Sequence, residues 1–242
     1  MSGTAIALAA SVFLACTVEA VEALTIVLAV GTTRGWAAAI GGVGAAMLAL
    51  AAIVAALGSS ITQLPLGLLR ALVGGLLLVF GVHWLRKAVL RAAGLKAKHD
   101  ERRAYRQGVD AARQAGACSR FDGYAFAVAF KGVLLEGLEV AFIVIGFGAN
   151  QHRVGLAAAA AGLAALGVLA AGLAARAPLA RVPENTMKLA VGVVLSSFGA
   201  FWSLDGLGVR WPGGEGALPA IVCAWTLGAI AAIALLASRA RA

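Results

Sequence analysis

Seven stretches of this chain are long and apolar enough to span a membrane as helices. That pattern points to an all-α integral membrane protein. The stretches lie at about 5–31, 36–58, 64–86, 122–148, 154–175, 184–205 and 217–238. Crossing the hydrocarbon layer takes about 20 predominantly apolar residues in helical form. The runs are continuous rather than alternating, which argues against barrel strands. Charged residues make up only 13% of the chain, against about 25% in soluble domains.

The formal net charge of +9 does not indicate a nucleic-acid partner, because of where the charge sits. Ten of the twenty Lys and Arg residues lie between Arg86 and Arg120, in the only long polar connection. A short basic connection between spans is a topology signal, and it attracts anionic headgroups of the lipid bilayer. Placing 87–121 in the cytoplasm puts the N-terminus outside and the C-terminus inside. Arg34, Arg176, Arg181, Lys188, Arg239 and Arg241 then also fall inside, and only Arg153 and Arg210 fall in outside loops. The content of 87–121 suits a solvated helix extending the third span into the cytoplasm. Phe13-Leu14-Ala15-Cys16 faintly imitates a lipoprotein cleavage site, but no Lys or Arg precedes it and the apolar run continues to Val30. It reads as an uncleaved span. Cys16, Cys118 and Cys223 are far apart and form no C-x-x-C pair, so neither a disulfide framework nor a zinc knuckle is indicated.

The chain also repeats itself. Val21–Val27 resembles Leu138–Val144, with Glu19, Glu22 and Gly31 matching Glu136, Glu139 and Gly148 at an offset of 117. Arg70, Gly74, Phe80, Gly81 and Trp84 match Lys188, Gly192, Phe198, Gly199 and Trp202 at an offset of 118. Apolar runs match by chance, but charges, Phe-Gly and Trp rarely keep register through a whole unit. The expected organisation is a first three-helix repeat (1–86), a basic cytoplasmic linker (87–121), a second repeat (122–208), and a seventh helix with its tail (217–242). Because three is odd, the second repeat enters the membrane from the opposite side. Secondary transporters use such inverted repeats, with the substrate site at the midplane between them.

Glu19, Glu22, Glu136 and Glu139 are expected to carry the chemistry. Carboxylates at i and i+3 share a helix face. Each pair lies well inside a span, where an ionisable group costs at least about 2.5 kcal/mol. Neighbouring carboxylates repel unless a proton or a cation joins them. Four oxygen-donor groups suit a hard cation such as iron(III), manganese, calcium or magnesium. The alternative is that protonated glutamates only cross-link helices by hydrogen bonds. Duplication of the pair in both halves argues against it.

Other residues are candidate modulators of the site. Cys16 lies one turn before Glu19, but its counterpart is Val133, so helix packing is favoured over a ligand role. Lys131 precedes Glu136 by five residues; it either pairs with a glutamate or snorkels to the interface. Asp205 and Glu215 are placed at the outer mouth, and Asp122 reads as the charge starting the fourth span. His83 reads as an interfacial anchor. Gly41-Gly42-Val43-Gly44 has no strand before it and no Gly-Lys-Ser/Thr after it, so it reads as helix packing rather than a phosphate loop. No nucleophile–base arrangement is present, so no enzymatic activity and no tightly bound cofactor are expected.

At Leu135-Glu136-Gly137-Leu138-Glu139 the sequence resembles the R-E-G-L-E motif of the oxidase-dependent iron permease family. This family includes fungal high-affinity iron permeases and bacterial ferrous-iron-uptake permeases. The resemblance implies seven spans, an outside N-terminus, iron as transported ion, and the four glutamates as its ligands in the cell inner membrane. It also implies an extracytoplasmic oxidase or binding protein as partner. Val18 and Leu135 stand where the motif has arginine, and Ala20 stands where it has glycine in the first span. Two positive charges beside the glutamates are therefore lost. The residues alone imply a hard cation; the resemblance adds iron. The alternatives are a manganese or calcium cation–proton exchanger, and a non-transporting membrane subunit that docks a partner through the basic linker.

Overall fold

The structure, a computed structural model, describes residues 3–61, 65–96, 101–115, 122–175 and 184–239. Cys118, Arg176, Arg181 and Arg241 lie outside them. Helices account for nearly all of the described residues: α1 (Gly3–Arg34), α2 (Trp36–Ile61), α3 (Leu66–Ala92), α4 (Glu101–Gln114), α5 (Gly123–Asn150), α6 (Val154–Ala175), α7 (Glu184–Gly206) and α8 (Leu218–Arg239). A continuous apolar run in lipid must satisfy its own backbone, and the helix does so within one segment. Six of these helices are long and apolar enough to cross a membrane. The remaining long helix, α5, has 28 residues and carries Lys131, Glu136 and Glu139.

The connection after the third span differs from expectation. It does not prolong α3 as a single rod. Gly94 takes φ +79°, and the Leu95 and Lys96 amides both donate to the Leu90 carbonyl, at 3.0 and 3.1 Å. This left-handed cap ends the helix. The basic residues then form a separate helix, α4, which lies along α1. Ala112 is fully buried there, and a Cβ on Gly108 would meet the Ala29 methyl at 2.9 Å. Arg34 ties this end together. Its Nε pairs with Asp122 at 2.7 Å and its Nη1 donates to the Ala112 carbonyl at 2.7 Å. Asp122 is also the N-cap of α5, accepting from the Ala125 amide at 2.8 Å, which fits its reading as a helix-start charge.

Helix α3 lies antiparallel against α7 in the most extensive pairing of the fold. Glycines at seven-residue spacing (67, 74, 81 and 192, 199, 206) bring the two backbones together. A Cβ on Gly74 would meet Ser203, one on Gly81 would meet Ser196, one on Gly192 would meet Leu85, and one on Gly199 would meet Leu78. Small residues allow such close approach in membranes, where hydrophobic burial gives no drive between helices. Elsewhere α2 lies along α5, α6 lies along α1, and α1 contacts α5 directly. Gly42 abuts the backbone of Phe126 and Phe130 on α5, consistent with the packing role read for its glycine cluster. Phe147, Phe198 and Trp202 stack edge-on and tilted at 5.0–5.7 Å between centroids and fill the core joining α1, α5 and α7. The contact of α1 with α5 sets the site.

Candidate metal centre

Glu19 and Glu22 stand one turn apart on α1, and Glu136 and Glu139 one turn apart on α5. Glu19 lies eleven residues after Leu8 and fifteen before Arg34, the ends of its apolar span. Each pair is therefore near the middle of its helix. Where α1 meets α5, one carboxylate oxygen from each of Glu19, Glu22 and Glu136 lies within 4.8 Å of the others. A cation binding oxygens at roughly 2.0–2.6 Å spans such a triangle.

The surroundings are poor in compensating donors. Glu19 is only 2% exposed, and its Oε1 is buried with no hydrogen-bond partner. Its carboxyl is within hydrogen-bonding reach of Glu136. Two carboxyls so close are held together by a shared proton or a shared cation. Leaving a buried acceptor unsatisfied costs about 1–3 kcal/mol, more for a charged group. Glu139 falls outside the triangle but stays in electrostatic range of Glu136 and Glu22, with the Trp84 indole within hydrogen-bonding reach of it. Three of the four expected ligands thus converge, with the fourth held beside them.

Two cavities meet this group from different sides. One, of about 650 Å³, is lined by Cys16, Glu19, Glu136, Met47, Val133 and Leu169 among α1, α2, α5 and α6. The other, of about 290 Å³, is lined by Glu22, Thr25, Ile26, Gly108 and Tyr124 among α1, α4 and α5. Glu19 and Glu136 face the first and Glu22 the second, so the carboxylates stand in the partition between them.

The expected modulators are placed as follows. Cys16 is buried beside Glu19 and lines the larger cavity with its counterpart Val133. Lys131 is exposed on α5. Five residues turn a helix by about 140° past Glu136, so sequence proximity does not put the two on one face. Asp205 pairs with Arg70 at 2.7 Å, both half-exposed. It lies seventeen residues beyond Lys188 on α7, about 26 Å along the axis, and takes no part in the group. His83 is exposed.

Two site residues were not anticipated from the sequence. Lys188 of α7 forms an ion pair with Glu22, and its ammonium lies 5.4 Å from the centre of the Trp84 ring. Trp84 itself is buried and touches both Lys188 and Glu139. A signal existed: the repeat register matches Lys188 with Arg70 and Trp84 with Trp202, marking both as positions inside spans. A positive charge thus reaches the glutamates from α7. No family model, curated protein or solved structure matches the chain.

Proposed function

We propose that this protein is a multi-pass inner-membrane transporter of a hard metal cation, with iron the leading candidate. Glu19, Glu22 and Glu136 hold the ion, with Glu139 as a fourth ligand positioned by Trp84. The convergence of three carboxylates from two helices, around a buried and unpartnered Glu19 oxygen, carries this reading. Oxygen donors favour hard cations over copper or zinc. Cavities on either side of the carboxylates support passage rather than static binding.

In this reading α5 also crosses the membrane as the fourth of seven spans, and α1–α3 and α5–α7 are inverted repeats. The helix contacts support it in matched pairs. Gly74 meets Ser203 as Gly192 meets Leu85, and Gly81 meets Ser196 as Gly199 meets Leu78. Moving one residue of each contact up by 118 and the other down by 118 converts it into its partner. That is the self-complementary pattern of a two-fold interface. The packing of α2 on α5 and of α6 on α1 obeys the same exchange. Rocking one repeat against the other would alternate access to the midplane. The N-terminus is placed outside and α4 in the cytoplasm by the positive charge, and an extracytoplasmic oxidase or binding protein is the partner that the family resemblance implies.

Reconstituted vesicles test the reading. Wild-type protein should accumulate iron, and Glu19→Gln or Glu136→Gln should reduce uptake at least about tenfold, since one charged ligand is worth well over 1.4 kcal/mol. Flux of manganese or calcium with counter-moving protons, in place of iron, would favour the exchanger. Wild-type flux in both variants would sink the transport reading.

A further inference from the structure

Lys188 reaches Glu22 from across the bundle, and the ion pair joins α7 to the ligand set on α1. The residue is only 6% exposed. Its repeat counterpart, Arg70, is neutralised differently, by Asp205 on the same interface between α3 and α7. Exchanging the halves at the offset of 118 carries Arg70 to Lys188 and Asp205 to Lys87. At the equivalent position the first half therefore carries Lys87 toward Lys188, where the second half carries the acid Asp205 toward Arg70. Lys188 turns to Glu22 instead.

We propose that Lys188 is a tethered counter-ion: it occupies Glu22 when no metal is present and is displaced when a cation binds. This rests on the reading of Glu19, Glu22 and Glu136 as the metal site. The ammonium engages Glu22 and leaves the buried Glu19 Oε1 without a partner. A metal ion between the three carboxylates would satisfy that oxygen and claim Glu22 as well. Glu22 cannot serve a small, highly charged cation and the ammonium at full strength together. The Trp84 face already lies 5.4 Å from the ammonium and would keep hold of the displaced cation through cation–π attraction. Lys188 thus lowers the site's affinity for metal and limits the repulsion among carboxylates in the metal-free protein.

The test uses the full chain in nanodiscs, titrated with manganese(II) alone and followed by the loss of the free-ion electron paramagnetic resonance signal. Lys188→Met should bind manganese(II) about tenfold more tightly than wild type, within the usual range of coupling between sites, and Lys188→Arg should stay close to wild type. In the wild type, manganese(II) should also change tryptophan emission, and Trp84→Phe should remove that change. Equal or weaker binding by Lys188→Met, with Glu19→Gln still abolishing binding, makes Lys188 a structural strut and overturns the proposal while the site stands. Binding by neither wild type nor Lys188→Met overturns both. If Lys188→Met does not fold, the wild-type emission decides: a response that depends on Trp84 supports displacement, and unchanged emission at saturating manganese(II) overturns it.

Discussion

Gly74 and Gly75 are adjacent on α3 and face opposite fates on substitution by alanine. At Gly74 a Cβ would lie 2.8 Å from the Trp202 carbonyl carbon and 2.9 Å from the Ser203 Cα, and closer still to the Ser203 amide nitrogen. Carbon atoms prefer about 3.5–4.0 Å, and helix backbone cannot swing aside as a side chain can. The helices must part, at an overpacking cost near the top of about 1–3 kcal/mol. Replacing glycine in a helix returns about 1 kcal/mol, so Gly74→Ala should be destabilising by about 2 kcal/mol. At Gly75 nothing lies within 4 Å of the added methyl, and only the gain remains. With about 2–4 °C per kcal/mol for a chain of this size, Gly74→Ala should lower the melting temperature by about 4–8 °C and Gly75→Ala raise it by about 2–4 °C. Thermal unfolding of the purified protein, followed by tryptophan emission, measures both. If the two variants melt together, or Gly75→Ala melts lower, α3 and α7 are not in the contact described.

Other sites make independent predictions. Arg34→Met breaks the buried ion pair with Asp122 and should cost about 3–5 kcal/mol, seen as a fall in melting temperature; the double variant with Asp122→Asn should recover part of it, the coupling a double-mutant cycle isolates. Trp84→Phe removes the donor to Glu139 and should weaken manganese(II) binding about tenfold, as a hydrogen bond to a charged group is worth about 1.5 kcal/mol or more; unchanged affinity would take Glu139 out of the ligand set. Lys131→Met should leave both metal affinity and stability unchanged, since Lys131 is exposed and faces away from Glu136. A loss of uptake in that variant would contradict the placement.

The helices were legible because the bilayer imposes their length. Each long helix begins and ends within a few residues of its apolar run, apart from α3, which continues to Ala92. That excess falls where Lys87 and Arg91 suggest a solvated extension of the third span, while in the structure Ala88 and Val89 stay buried and Arg91 donates to Asn185 on α7 at 3.1 Å, so this part is packed rather than solvated. Which helices touch was much less legible. Hydropathy is nearly uniform around α2 and α6, so no apolar face points to a partner. The seven-residue spacing of glycines on α3 and α7 was the one available signal, because a missing Cβ is a steric fact that lipid does not mask.

The glutamates were found because a charge inside a span needs a reason. Lys188 has the same standing, yet it read as an inside-loop charge because it lies one turn from the start of α7. Its partner is 166 residues away, and nothing local in the sequence announces that pairing. Lys131 and Asp205 lie apart from the group for the opposite reason, since nearness in sequence or to a membrane face says little about direction around a helix. Comparing the halves separates frame from site. Positions that both halves share, Gly74 with Gly192, Gly81 with Gly199, Trp84 with Trp202, build the interface between α3 and α7. Positions where they differ set the chemistry: Cys16 against Val133 in the larger cavity, and Asp205 against Lys87 beside the two basic residues. A strictly symmetric chain would give Lys188 an acid of its own and leave Glu22 to the metal. With lysine in place of that acid at position 87 of the first half, the positive charge of Lys188 goes to the carboxylates, and it does so from one side only.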